Sequence, residues 1–194
     1  MSDLIFDDGY RANVGIIICN SAGKVFFGKR RYQSGWQFPQ GGIKKGESPK
    51  KAMWRELLEE TGLKKENTKL IKTSNGWYQY NLPKKSIRKN GKGTRVIGQR
   101  QKWFLLSFND DSQLISLDQS SEQEFDSWKW IDPETTINQV IGFKKEVYKQ
   151  VIDEFKPFMT DKTITKAATP SESPAIAIKE VKDAKAPFFD RKYL

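Results

Sequence analysis

The chain has 194 residues, 37% of them hydrophobic and 12% aromatic, which suffices for one full-sized core and favours a single globular unit with a tail over two domains. One cysteine excludes a disulfide framework, and the absence of histidine excludes zinc sites built on that side chain. With 34 Lys plus Arg against 24 Asp plus Glu the formal net charge is +10, a field that attracts polyanions such as nucleotides and RNA, or simply a solvated lysine-rich surface.

The first stretch, MSDLIFDDGYRANVG, is acidic and lacks the basic and apolar regions of a signal peptide. No apolar run approaches bilayer length, so a cytoplasmic location without a membrane partner is expected. NVGIIIC and KVFFGKR predict two strands joined by the turn NSAGK, with Cys19 buried and unreactive in the first. After the loop YQSGWQFPQGGIKKGES, a helix is expected from Ser48 or Pro49, where serine caps and proline suits the first turn, to a stop at Gly62. Strands are predicted at Lys69 to Ser74, Trp77 to Leu82, KWFLLSF and EFDSWKWI, with the basic loop PKKSIRKNGKGTR between the second and third. That loop carries Lys84, Lys85, Arg88, Lys89, Lys92 and Arg95; it reads as an electrostatic funnel for RNA, as a lid, or as a solvated loop. A last helix is expected through FKKEVYKQVIDEFKPF, with Phe143, Val147, Val151 and Phe155 on one apolar face. From Thr160 onward alanine, lysine, serine and proline predict a flexible tail, giving a domain over 1–159 and a tail over 160–194.

The helix RELLEETGL concentrates Glu56, Glu59 and Glu60 in one arc, with Glu47 just upstream, while Trp54, Leu57 and Leu58 project elsewhere. Like charges at helical spacing repel, so something must compensate them. A solvent-exposed stripe paired with lysines is the plainer account. The glycine-rich approach PQGGIKKGE, the preceding Arg55 and the glycine stop directly after favour a cation site. Hard divalent ions take oxygen ligands, and several carboxylates on one rigid face plus a loop carbonyl hold more than one of them. Such ions neutralise a phosphate chain and make hydroxide available near neutral pH.

From Gly41 the spacing runs through Glu47, Arg55, Glu56, Leu57, Glu59, Glu60, Gly62 and Leu63, which fills every defined position of the Nudix box, so the chain resembles a Nudix hydrolase. The resemblance implies an α/β fold: a mixed, partly parallel sheet sandwiched between helices, with the box forming a loop, helix and loop. GYRANVG, WQFPQGG, QRQKWFLL and EFDSWKW are similar to the bacterial RNA pyrophosphohydrolase subfamily. That likeness implies an enzyme that removes pyrophosphate from RNA 5′-triphosphate ends to leave a monophosphate and promote mRNA decay. Dinucleoside polyphosphates are the alternative substrate, and a nucleotide-binding module without turnover is the rival from another class. No stable protein partner is implied.

By the same resemblance the Gly41 carbonyl, Glu56, Glu59, Glu60 and Glu124 ligate Mg2+ or Mn2+, in more than one ion. Glu56 is a ligand or the base acting on water, Arg55 orients an acidic neighbour, and Glu47 is structural. Arg11 and Arg30 match arginines near the phosphates, and Tyr80, Gln99 and Lys102 match positions lining the same cleft, with a surface charge or a core-edge tyrosine as the alternative for each. Ile141, Phe143 and Lys144 match the pocket for the second nucleotide, where a ring stacks on a purine; core packing is the competing role for Phe143.

Overall fold

The structure is a computed structural model, and its description covers residues 2–89, 95–108, 112–120 and 123–159. The expected tail from 160 onward and Lys92 of the basic loop lie outside the described residues.

The first hairpin forms as expected. β1 (Tyr10–Cys19) and β2 (Val25–Arg30) meet at a turn where the Asn20 side chain accepts from the Lys24 N–H at 2.9 Å. The two strands pair directly only at Cys19 and Val25 and then diverge. The segment 36–42, expected as loop, fills the wedge between them: β3 (Trp36–Gln37) pairs with β2, and β4 (Gln40–Gly42) pairs with β1.

The centre of the sheet is a parallel pair. β9 (Gly98–Phe108), which starts ahead of the predicted KWFLLSF, runs beside β1 from Tyr10 opposite Gly98 to Cys19 opposite Ser107. β5 (Thr68–Thr73) and β6 (Tyr78–Asn81) share the other edge of β9, and β10 (Phe125–Ile131) closes the sheet against β2. All pairings other than β1 with β9 are antiparallel, so the sheet is mixed. A short ribbon of β7 (Arg88–Lys89) and β8 (Arg95–Val96) forms a separate two-stranded sheet.

Helix α1 (Pro49–Thr61) has the predicted limits. The Ser48 side chain accepts from Lys51 N, Pro49 occupies the first turn, and Gly62 ends the helix at φ 72°, a left-handed conformation that costs a residue with a Cβ. Two elements differ from expectation. Pro133–Gln139 forms a helix, α2, behind Asp132 and proline, in a segment with no apolar period to announce it. The last helix, α3 (Lys145–Phe155), begins two residues after Phe143, which sits in a preceding 3₁₀ turn and not on the helix face. Val147, Val151 and Phe155 are buried on α3 as predicted, together with Tyr148 and Ile152.

Alternation along the strands divides two cores. Val14, Ile16, Ile18, Phe104 and Leu106 pack with Met53 and Leu57 of α1, while Ile17, Cys19, Trp103 and Leu105 pack with Val147, Tyr148 and Val151 of α3. Each fully buried apolar side chain of that size contributes about 1.5–3 kcal/mol, so both helices are fixed firmly to the sheet. This is the α/β sandwich expected from the sequence.

Candidate active site

Everything in the site is arranged around the C-terminal half of α1, from Arg55 onward, and the wedge strand β4. Arg55 reaches out from the helix to five acceptor oxygens on four residues. Its Nε and Nη2 each lie 2.9 Å from the two oxygens of Glu47, Nη1 lies 2.5 Å from Glu56 Oε1 and 3.1 Å from Glu59 Oε2, and Nη2 donates to the Gly42 carbonyl at 2.8 Å. A planar fork with five donors suits this multiple role, and a lysine would not. The hydrogen bonds from Arg55 hold the Glu47 carboxyl below the usual carboxylate range, and the Glu47 contact in turn raises Arg55 further. Arg55 therefore touches three acids and ties Gly42 and the loop carrying Glu47 to the helix.

Beneath it the acids are less well served. Glu56 is 8% exposed and its carboxylate lies directly against Gly41, where an added Cβ would stand 1.8 Å from the carboxyl carbon. Only glycine lets the strand and the acid come so close. Burial pushes the Glu56 carboxyl up, with Arg55 pulling the other way. Glu60, half-buried as a residue, turns its carboxylate inward to accept from the Gln40 N–H at 3.0 Å. Its carboxyl is pushed well above the usual range, first by burial and then by the negative charges of Glu56 and Glu124. Glu59 remains more open, with a side chain 42% exposed.

Glu124 arrives from the segment before β10. Gln37 Nε2 donates to its Oε1 at 2.9 Å, and Arg30 Nε is 3.5 Å from the same oxygen. Behind this pair sits Lys144, 5% exposed, its Nζ 3.0 Å from Gln37 Oε1 and 2.9 Å from Gln40 Oε1. Burial, then the nearby Arg30 charge, pulls the Lys144 ammonium down to about 7, against Glu124 and Glu60.

Of the predicted contacts, Tyr80 and Gln99 are joined by a 2.6 Å hydrogen bond from the Tyr80 hydroxyl, and the Phe143 ring lies 5.4 Å from that of Tyr80. Arg11 pairs with Asp3 at 2.7 Å and approaches Gly42, next to the acids. Ile141 is 41% exposed. Lys102 is not brought to this group. Strand alternation turns it away from Gln99 and Gln101, and its Nζ lies 3.3 Å from the Asn75 carbonyl. Residues the sequence reading passed over are Gln37, Gln40, Asn13 and Gln101; Gln101, fully buried, donates to Asn13 at 2.8 Å. Asn13 alone stood inside an expected strand, where apolar side chains are the rule; Gln37 and Gln40 fall in the expected loop, where an amide is no signal.

The oxygen-only donor set, crowded and under-compensated at Glu56 and Glu60, fits a hard divalent cation. As the side chains stand, no three acids among the described residues are gathered closely enough to hold an ion between them; Arg55 donates to Glu56 and Glu59, and the Gln40 N–H to Glu60.

A model of the NUDIX domain matches residues 9–155. The chain belongs to the Nudix family. This Nudix chain is 48% identical over 164 residues to the RNA pyrophosphohydrolase of Vibrio atlanticus (strain LGP32), covering 82% of the chain and 95% of the relative. It is 49% identical over 152 residues to the RNA pyrophosphohydrolase of Vibrio cholerae serotype O1, covering 78% and 88%. Among solved structures it superposes on the E. coli dihydroneopterin triphosphate pyrophosphohydrolase with a TM-score of 0.60 at 20% identity, over 74% of this chain and 95% of that one. A C. elegans Ap4A hydrolase binary complex gives a TM-score of 0.54 at 20% identity, over 76% and 98%; these two likenesses are of fold. The protein is a Nudix hydrolase, an enzyme class that uses divalent metal ions. None of its described helices is long and apolar enough to cross a membrane.

Proposed function

We propose that this Nudix hydrolase removes pyrophosphate from the 5′-triphosphate end of RNA in the cytoplasm, leaving a 5′-monophosphate that opens the message to decay. The observation that carries the reading is the match to a relative bearing that name over 95% of its length, in a chain whose box acids are all present, with Glu56 and Glu60 crowded against β4. Mg2+ or Mn2+, in more than one ion, would be held by the Gly41 carbonyl, Glu56, Glu59, Glu60 and Glu124. Bound there, such ions neutralise the triphosphate and acidify water near it.

The chain's own residues do the rest. Water adds to phosphorus as the anhydride bond between the α- and β-phosphates breaks, and the departing pyrophosphate takes the bonding electrons. Glu56, whose carboxyl is pushed up by burial, takes the water's proton. Arg55 acts on substrate only through the acids that it orients. Arg11 and Arg30 face the phosphates, where a guanidinium bonds two oxygens at once. Tyr80 and Gln99 line the approach, and Phe143 with Ile141 offers a stacking wall for a base. Lys144 stands behind that wall, its amine taken by Gln37 and Gln40.

Incubation with 5′-triphosphorylated RNA should release pyrophosphate with Mg2+ or Mn2+ and none in EDTA. Absence of release under every divalent ion would leave a nucleotide-binding module instead. In Phe143→Ala, turnover of RNA should fall more than turnover of diadenosine tetraphosphate, measured side by side; equal losses would assign Phe143 to packing.

A further inference from the structure

Lys144 presents an unusual problem. A nearly dry ammonium is expensive unless it is paired with a charge, yet the two groups it touches at hydrogen-bond distance are neutral glutamine carbonyls. The ammonium form has donors and no acceptor, and both glutamines face it with their oxygens. That fixes the orientation of both glutamines. The Gln37 NH₂ is thereby turned outward, where it donates to Glu124 Oε1 at 2.9 Å. The Gln40 backbone N–H meets Glu60 Oε2 at 3.0 Å, and its side chain also reaches the Tyr80 hydroxyl.

We propose that Gln37, its amide oriented by Lys144, is a positioning residue that holds Glu124 in register with the acids of α1, with Gln40 completing the frame. The inference rests on the hydrolase reading, since it gives the frame a purpose. Its elements come from four parts of the chain: Gln37 from β3, Gln40 from β4, Lys144 from the turn before α3, and Glu124 from the segment before β10. Glu60 is carried on a rigid helix, whereas Glu124 lies outside any strand or helix. A carboxylate so placed keeps its geometry only through its contacts, and outer hydrogen bonds of this kind tune both the affinity and the geometry of a metal site. In this arrangement a single amine orients two amides, one of which, Gln37, reaches Glu124, while the backbone N–H of the other, Gln40, meets Glu60.

The plain alternative is that the buried lysine merely staples the turn at Gly142–Lys144 to β3 and β4. The two accounts separate in a titration. Calorimetric binding of Mg2+ alone to the full chain, without RNA, should weaken about tenfold in Gln37→Met, since loss of an outer-sphere partner typically costs 10- to 100-fold. Gln40→Met should weaken it less, because Glu60 is held there by a backbone group. In a Glu124→Gln background, Gln37→Met should add less than about twofold, since the amide then has no carboxylate to place. An unchanged Mg2+ affinity in Gln37→Met, or an equal loss in both backgrounds, would overturn the proposal and leave the staple. Where Gln37→Met does not fold, Gln37→Ala removes the amide without added bulk and gives the same cycle. Turnover of triphosphorylated RNA by the unmodified chain, run alongside, judges the hydrolase reading separately.

Discussion

Glu47 and Glu60 belong to one motif, yet the fold serves them in opposite ways. Glu47 receives both arms of Arg55 and the Lys44 N–H, and its carboxyl is held low. Glu60 has one backbone N–H, lies among other acids, and is pushed up by burial. An acid fully compensated by its own chain is a bolt. One left short of compensation is a place where an outside cation is welcome, and the difference separates the structural from the chemical carboxylates in a run that composition alone treats alike.

The widest gap between the two should appear in turnover. Glu60→Gln is expected to lower pyrophosphate release from triphosphorylated RNA by about two to three orders of magnitude, as loss of a charged group acting at the transition state does. Glu47→Gln should cost less than about tenfold; equal losses would erase the distinction. Next in size is Arg55→Ala, which strands Glu47, Glu56 and Glu59 together. The half-shielded guanidinium, 21% exposed, sets the expected cost at about 2–4 kcal/mol in urea unfolding. Arg55→Lys should recover less than half of it, because a point charge cannot fork.

Smaller still, Glu47→Gln should destabilise the metal-free protein by about 1–2 kcal/mol at pH 7, the scale of hydrogen bonds to a charged group. Its folded pKa is below the ordinary 4.5, so that contribution is present above 4.5 and is lost as pH falls through the lowered value. Denaturation of wild type and variant should converge on acidification through that window. Glu60 has the opposite sign. Its raised folded pKa gives stability that is complete below 4.5 and lost as pH rises through the raised value. Thermal unfolding in EDTA should therefore show Glu60→Gln more stable than wild type at pH 8, with the gap closing toward pH 4. A lower Tm for the variant at pH 8 would show that Glu60 is a bolt too.

The α1 boundaries were legible because Ser48, Pro49 and Gly62 act through local backbone chemistry, and the two core faces because strand alternation is a two-residue period. The acids were legible as a pattern, but their unequal compensation was not: it depends on β4 lying beneath them, and Gln40–Gly42 is too short for a period to show. Nor does spacing reveal that the Lys144 amine would be enclosed by Gln37 and Gln40, since those contacts join residues more than a hundred positions apart. Phe143 was misplaced for a related reason. Its spacing from Val147 continues the apolar repeat, while the chain there forms a 3₁₀ turn in which the Phe143 ring lies against Tyr80.

The parallel pairing of β1 with β9 joins residues 88 positions apart, as between Asn13 and Gln101. The catalytic box is thus translated long before the strand that backs it. A nascent chain stopped short of Gly98 would display β1 as an unprotected edge, open to association with other chains. Closure of so long a loop is slow, so biosynthesis of this protein should profit from chaperone shelter until the second half emerges.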